Sequence, residues 1–138
     1  MIKAVCLISG KGTNLEAILK HIDKNNLNLN ISSVISDNPK AKGLSIAENY
    51  NINTHVIDFQ KYKNKKDFDD QLEIYINNIN PDIVFLSGYM RILSTNFCSC
   101  FGLCSRLTGQ NRVPLPPAKI TPYIIFGLSL IFFRVGLN

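Results

Sequence analysis

The sequence predicts an α/β architecture, a parallel sheet with helices on both faces, over residues 1–97. Three observations predict it. Short apolar runs rich in β-branched residues alternate four times with amphipathic stretches. Turn clusters separate the two kinds of segment, among them Ser9-Gly10-Lys11-Gly12, Ser36-Asp37-Asn38-Pro39 and Asn80-Pro81. Charge is also balanced over this stretch, with eleven Lys and Arg against ten Asp and Glu, and that balance ends abruptly after residue 97.

Residues 2–8 are nearly all apolar, the pattern of a strand buried on both faces. After the Gly-rich turn, Thr13-Asn14-Leu15-Glu16 opens a helix with Thr13 and Glu16 at capping-box spacing. Leu15, Ile18, Leu19 and Ile22 form its apolar stripe, and Asn25-Asn26 closes it. Residues 31–35 make the second strand, residues 41–50 a helix with Leu44 and Ala47 inward, and residues 54–57 a short third strand. Residues 61–66 read as a basic loop. A longer helix over residues 68–79 follows, with Phe68, Leu72, Ile76 and Ile79 on one face until Pro81 stops it. Residues 82–86 are the fourth strand. The first and fourth strands are the most uniformly apolar and are placed at the centre of a Rossmann-like sheet.

Length and composition set the outer limits. The chain has 138 residues, 46% hydrophobic and 18% charged, which is one globular domain or part of one. Mean hydropathy is +0.06, net charge +5 and pI about 9.1. The basicity is a property of residues 98–138, which hold Arg106, Arg112, Lys119 and Arg134 and no acid. These residues also carry Cys98, Cys100 and Cys104 and four of the six prolines. No Arg/Lys stripe with interleaved aromatics occurs, so a nucleic-acid partner is not expected. No signal peptide is read at the N-terminus, so the thiols are taken as reduced and the protein as cytoplasmic. Cys6 sits in the first strand as core. The three later cysteines have no fourth ligand nearby, so no metal is expected. The apolar residues 120–133, interrupted by Pro122 and Gly127, fall short of the roughly 20 residues of a membrane span. They could form one strand or a poor helix. Two domains of unlike origin follow: an α/β unit over residues 1–97 and an atypical tail over residues 98–138.

Two motifs carry chemistry. In Ser9-Gly10-Lys11-Gly12-Thr13-Asn14-Leu15 the glycines allow a sharp turn and close approach to a ligand, and the helix start offers N–H groups to an anion. It is neither a P-loop nor G-x-G-x-x-G, and spacing alone also fits an ordinary capped turn. Leu86-Ser87-Gly88-Tyr89-Met90-Arg91-Ile92-Leu93 leaves the fourth strand at its carboxyl end, where such sheets place their ligand crevice. An apolar run around one Arg suits a flat heterocycle with a polar edge, although a plain strand-to-helix connection would look similar.

Together the two motifs resemble the glycinamide ribonucleotide transformylase family of folate-dependent formyltransferases. The opening turn is similar to that family's Ser-Gly-x-Gly-[Ser/Thr]-Asn-Leu, and residues 88–93 to its Gly-[Phe/Tyr]-Met-Arg-Ile-Leu. Ile35-Ser36-Asp37-Asn38 and Asn80-Pro81-Asp82 also fall where the family has similar residues. The resemblance implies that Gly12, Thr13 and Asn14 hold the phosphate of glycinamide ribonucleotide. It implies that Met90, Arg91, Ile92 and Leu93 wrap the pterin of 10-formyltetrahydrofolate. A basic residue before the third helix lies near the folate in the family, and Lys65 is the nearest match, with Lys63 and Lys66 as alternatives. Formyl-methionyl-tRNA and amino-sugar formyltransferases are the nearest rivals, and the Gly12-Thr13-Asn14 turn argues for the ribonucleotide. The partners implied are these two small molecules, with no membrane; a homodimer stays open.

One departure is large. The family places Asn-x-His-Pro-Ser shortly after Met-Arg-Ile-Leu, and an Asp later. Ungapped continuation would put that stretch near Leu107-Thr108-Gly109, where nothing matches. No His follows His55 and no Asp or Glu follows Asp82. His21 and His55 are read as structural or surface side chains, so no catalytic residue is assigned. Residues 98–138 are expected to be a frame-shifted or mis-spliced reading, and the protein to be truncated as an enzyme. A non-catalytic ligand-binding module and an unstable translation product are the alternatives.

Overall fold

A computed structural model describes residues 1–93 and the backbone of residues 130–134. The four strands are β1 (Ile2–Ile8), β2 (Leu29–Ser36), β3 (Asn53–Val56) and β4 (Ile83–Ser87). The helices between them are α1 (Thr13–Asn25), α2 (Gly43–Asn49) and α3 (Lys65–Ile79), with a 3₁₀ turn at Phe59–Lys61. A fifth strand, β5 (Leu130–Arg134), completes the order β3-β2-β1-β4-β5. β1 to β4 are mutually parallel, and β5 joins β4 antiparallel with Phe85 opposite Phe132. β1 and β4 both lie inside the sheet, as their uniform apolarity requires.

Strand pleat sorts the core into two layers. Val5, Leu7, Ile35, Val84 and Leu86 point to one face and pack with Phe68, Leu72 and Ile76 of α3. Ala4, Cys6, Ile8, Val34 and Phe85 point to the other and meet Leu15, Leu19 and Ala47 of α1 and α2. The i, i+4, i+8 spacing of Phe68, Leu72 and Ile76 puts all three on one stripe, each at most 1% exposed. Each such side chain contributes about 1.5–3 kcal/mol of burial. Where the β1–β2 register steps from Ala4 opposite Ile31 to Val5 opposite Ser33, Ser32 is the extra residue. Its hydroxyl donates to the Ala4 carbonyl at 3.0 Å.

Local chemistry moved some boundaries. The start of α1 is Gly12, in the left-handed region with φ 78°, and no side chain caps it. The Thr13–Glu16 capping box does not form: Glu16 pairs instead with Lys20, one turn on. The expected basic loop is shorter than residues 61–66, because the Asn64 side chain accepts from the Asp67 N–H at 2.8 Å and starts α3 at Lys65. Of residues 120–133, read as one strand or a poor helix, the last four fall in β5, which gives β4 an antiparallel neighbour. Cys98, Cys100, Cys104, the Leu107–Gly109 position and the remainder of the tail lie outside the described residues.

Candidate functional site

In a sheet of this topology the loops leaving the carboxyl ends of β1, β2 and β4 converge on one rim. Ser9 is the junction. Its hydroxyl accepts the Met90 N–H at 2.9 Å, tying the turn after β1 to the loop after β4. Its carbonyl accepts from Asn38 Nδ2 at 3.3 Å, which adds the turn after β2. That turn is an Asx turn: the Lys40 N–H donates to Asn38 Oδ1 at 2.9 Å, and Ser36 Oγ donates to the Asn38 carbonyl.

The first loop is built by backbone. A Cβ on Gly12 would fall onto the Cα of Gly43, so only a glycine pair lets α1 begin against the start of α2. Gly43 donates its N–H to the Gly10 carbonyl at 3.1 Å and locks the crossing. The Glu16 N–H bonds to the Gly12 carbonyl as the first helical bond, and the N–H groups before it are left without a side-chain cap. Thr13 is exposed and Asn14 half-buried, and neither side chain is hydrogen-bonded among the described residues. Asn14 Nδ2 stands 3.9 Å from the position a Cβ on Gly88 would take, so it faces the second loop. Uncapped N–H groups, a positive helix end and two free polar side chains are the parts an anion needs.

The second loop is built by side chains. Gly88, at φ 73°, turns the chain out of β4. Met90 and Ile92 are 84% and 79% exposed, whereas Leu93 is 5% exposed and packs into the core beside Leu72 and Leu86. Of the four residues expected to wrap a pterin, only Met90 and Ile92 therefore offer free apolar side chains. Arg91 is engaged elsewhere. Its Nε donates to Asp37 Oδ2 at 2.5 Å, and its guanidinium lies over the Phe59 ring, 3.5 Å from the centroid. Asp37 is 4% exposed in its side chain, and its carbonyl accepts the Phe59 N–H at 3.2 Å.

Beneath this loop lies a set of half-satisfied polar groups. Asp37 Oδ1, Asp69 Oδ2, Ser87 Oγ and the Tyr89 hydroxyl are buried without a hydrogen-bond partner among the described residues. Burial, reinforced by the carboxylates of Asp37 and Asp69, pushes the Tyr89 hydroxyl well above its ordinary range, and the Arg91 guanidinium works against that rise. Tyr89 stays a neutral phenol.

A cleft of about 360 Å³ opens on this rim, lined by Ser9, Asp37, Asn38, Asp58, Gln60, Met90 and Arg91 among others. Gly12, Thr13 and Asn14 are not in its lining and connect to it through Ser9. Lys65 is outside it too: it occupies the first turn of α3 and stands 3.9 Å from Asp69. A larger cavity of about 470 Å³ lies at the other end of the strands, beside Lys3, Ser33, Asn53 and Tyr75, away from both loops. Neither histidine lines the cleft. His21 pairs with Asn25 on exposed α1, and His55 stacks on Tyr75 with ring centroids 3.8 Å apart. Cys6 is wholly buried, and its thiol is pushed up by that burial. No group of three or more His, Cys, Asp or Glu among the described residues is arranged to hold a metal ion. Sequence reasoning assigned no site role to Asp37, Phe59 or Ser9; the Ser36-Asp37-Asn38-Pro39 turn was the available signal.

The sequence profile of the formyl transferase family matches residues 2–104. The chain is 39% identical over 95 residues to the human trifunctional purine biosynthetic protein adenosine-3, covering 69% of this chain and 9% of that protein. It is 37% identical over 95 residues to phosphoribosylglycinamide formyltransferase of Escherichia coli K12, covering 69% of this chain and 45% of the relative. Among solved structures, phosphoribosylglycinamide formyltransferase from Coxiella burnetii superposes with a TM-score of 0.69 at 38% identity, over 72% of this chain and 47% of that one. The chain thus spans at most about half the length of these relatives.

Proposed function

This chain belongs to the formyl transferase family, and we propose that it acts as a phosphoribosylglycinamide formyltransferase of purine biosynthesis. The formyl group of 10-formyltetrahydrofolate passes to the amine of glycinamide ribonucleotide. The amine nitrogen attacks the formyl carbon, the folate C–N bond breaks, and a proton moves from the amine to the departing folate nitrogen. Gly12, Thr13 and Asn14 hold the ribonucleotide phosphate, while Met90, Arg91, Ile92 and the backbone up to Leu93 meet the pterin. Lys65, or Lys63 or Lys66 beside it, lies near the folate. The site is cytoplasmic and needs no metal.

The observation that carries this reading is the Met90 N–H bond to Ser9 Oγ, which supports the two motif loops acting as one pocket. The exposed Met90 and Ile92 side chains fit the two faces of a flat ring, and the uncapped start of α1 fits a phosphate.

A second reading, a phosphate- and folate-binding fragment without catalysis, is favoured by one observation. Asn-x-His-Pro-Ser does not occur after the second loop, no His follows His55 and no Asp or Glu follows Asp82, so the family's groups for moving the proton and steadying the oxyanion have no counterpart there. Loss of each class slows such reactions by roughly 10²–10⁴-fold. We propose residues 98–138 as a separate segment read in another frame. Translating the other frames beyond codon 97 tests this, and absence of Asn-x-His-Pro-Ser from all of them rejects it. For the function itself, calorimetry with glycinamide ribonucleotide and with a dideaza formyl-folate analogue is combined with a formylation assay. Binding of both with turnover supports the enzyme, binding without turnover the fragment, and binding of neither overturns both.

A further inference from the structure

Asp37 belongs to neither motif, yet two contacts meet on it and a third closes the ring between its partners. Its carboxylate takes Arg91 Nε, its carbonyl takes the Phe59 N–H, and Phe59 in turn carries the Arg91 guanidinium on its face. The result is a closed ring of contacts between the end of β2, the segment after β3 and the loop after β4. A buried carboxylate of this kind is retained only where a cation repays its desolvation, and an Arg left without its carboxylate loses its fixed geometry.

Resting on the reading above, we propose that Asp37 is a positioning residue for the folate loop: it acts through Arg91 to hold residues 88–93 in the shape that receives the pterin. Asp37 lines the cleft, but its Oδ2 is spent on Arg91. The loop's other ties are unequal to the task. Among the described residues, Tyr89 and Leu93 pack against the core at the loop's two ends, and the Met90–Ser9 bond fixes a single backbone group. Met90 and Ile92 are exposed, and among the described residues neither packs into a core cluster. The ring of contacts therefore determines where those two side chains stand, whereas the Gly12–Gly43 crossing that sets the phosphate turn does not depend on it.

The test uses the full chain and four variants: Asp37→Asn, Asp37→Glu, Arg91→Ala, and Asp37→Asn combined with Arg91→Ala. Calorimetry reads the affinity for the dideaza formyl-folate analogue and, separately, for glycinamide ribonucleotide. Asp37→Asn is expected to weaken the folate analogue about tenfold, a usual size for coupling between contacting groups, and to leave the ribonucleotide within about twofold. Asp37→Glu restores part of the loss, and the double variant binds the analogue no more weakly than Arg91→Ala alone, because Asp37 works through Arg91. Amide hydrogen exchange supplies a readout without ligand: it quickens at residues 89–92 in Asp37→Asn and not in β1. Equal loss for both ligands, loss that follows a lowered melting temperature, or unchanged folate affinity and exchange would overturn the inference alone. A wild-type chain that binds the ribonucleotide but not the analogue overturns the inference together with its premise.

Discussion

The two loops at the rim do comparable work by opposite means. The turn after β1 takes its shape from backbone geometry: two glycines pressed together, a left-handed φ at Gly12, and a Gly43 N–H on the Gly10 carbonyl. Its polar side chains, Thr13 and Asn14, carry no hydrogen bond among the described residues. The loop after β4 takes its shape from side chains, with Leu93 in the core, Arg91 between Asp37 and Phe59, and Met90 tied to Ser9. A turn built from backbone is rigid and fails at the first added methyl. One built from side-chain contacts can adjust, which suits the larger and less compact of the two proposed ligands.

Substitutions can break or sharpen this contrast, and the largest effect is expected at Gly12. Gly12→Ala puts a Cβ onto Gly43 in a backbone conformation L-residues avoid, at a cost of about 3 kcal/mol or more. Gly10→Ala, with nothing within 4 Å, changes stability by about 0.5 kcal/mol or less. Urea denaturation of the pair measures both, and similar losses would mean that the crossing is not what shapes the turn.

Leu93 comes next. Leu93→Ala opens a cavity in the α3 layer and costs about 2–4 kcal/mol, while Ile92→Ala next door, at a side chain 79% exposed, is nearly neutral in stability. The same denaturation series decides it. If both substitutions cost alike, the loop is not anchored at its far end by burial.

Ser9→Ala removes the acceptor of the Met90 N–H and is expected to cost about 1 kcal/mol. Folate-analogue affinity falls in this variant while the fold persists by circular dichroism. Retained affinity would separate the loops that the geometry joins.

The smallest effect lies outside both loops. Burial of His55 against Tyr75 lowers its affinity for a proton below the ordinary value of 6.5. The unfolded chain therefore binds this proton more readily, and stability falls as pH drops from 7 through the range just below 6.5. His55→Gln should lose part of that dependence in melting curves taken between pH 7.5 and 5.5. An unchanged slope would show that His55 does not couple to folding.

The parts that were legible from the sequence were those governed by neighbours along the chain. Apolar runs located β1 to the residue, the glycine turn and the loop after Gly88 were both found, and the order of strands and helices followed from their alternation. What misled was local pattern without context. Thr13 and Glu16 have the spacing of a capping box, but the left-handed Gly12 leaves Thr13 inside the helix, where it cannot cap. Lys65 read as a loop residue because the Asn64–Asp67 cap went unnoticed. The burial of the Leu93 side chain went unread because a motif does not say which of its side chains turn inward. The Asp37–Arg91 pair was beyond reach: 54 residues separate its members, and only the parallel pairing of β2 beside β1 and β4 brings them together.

That one pocket is shared by these two loops can be read directly from backbone amide shifts of the isotope-labelled chain titrated with each ligand in turn. Glycinamide ribonucleotide is expected to move the resonances of Gly12, Thr13 and Asn14, and the dideaza formyl-folate analogue those of Met90, Arg91 and Ile92, with Ser9 responding to both. Shifts confined to the cavity near Lys3 and Tyr75, or no saturable shifts at either loop, would contradict the assignment.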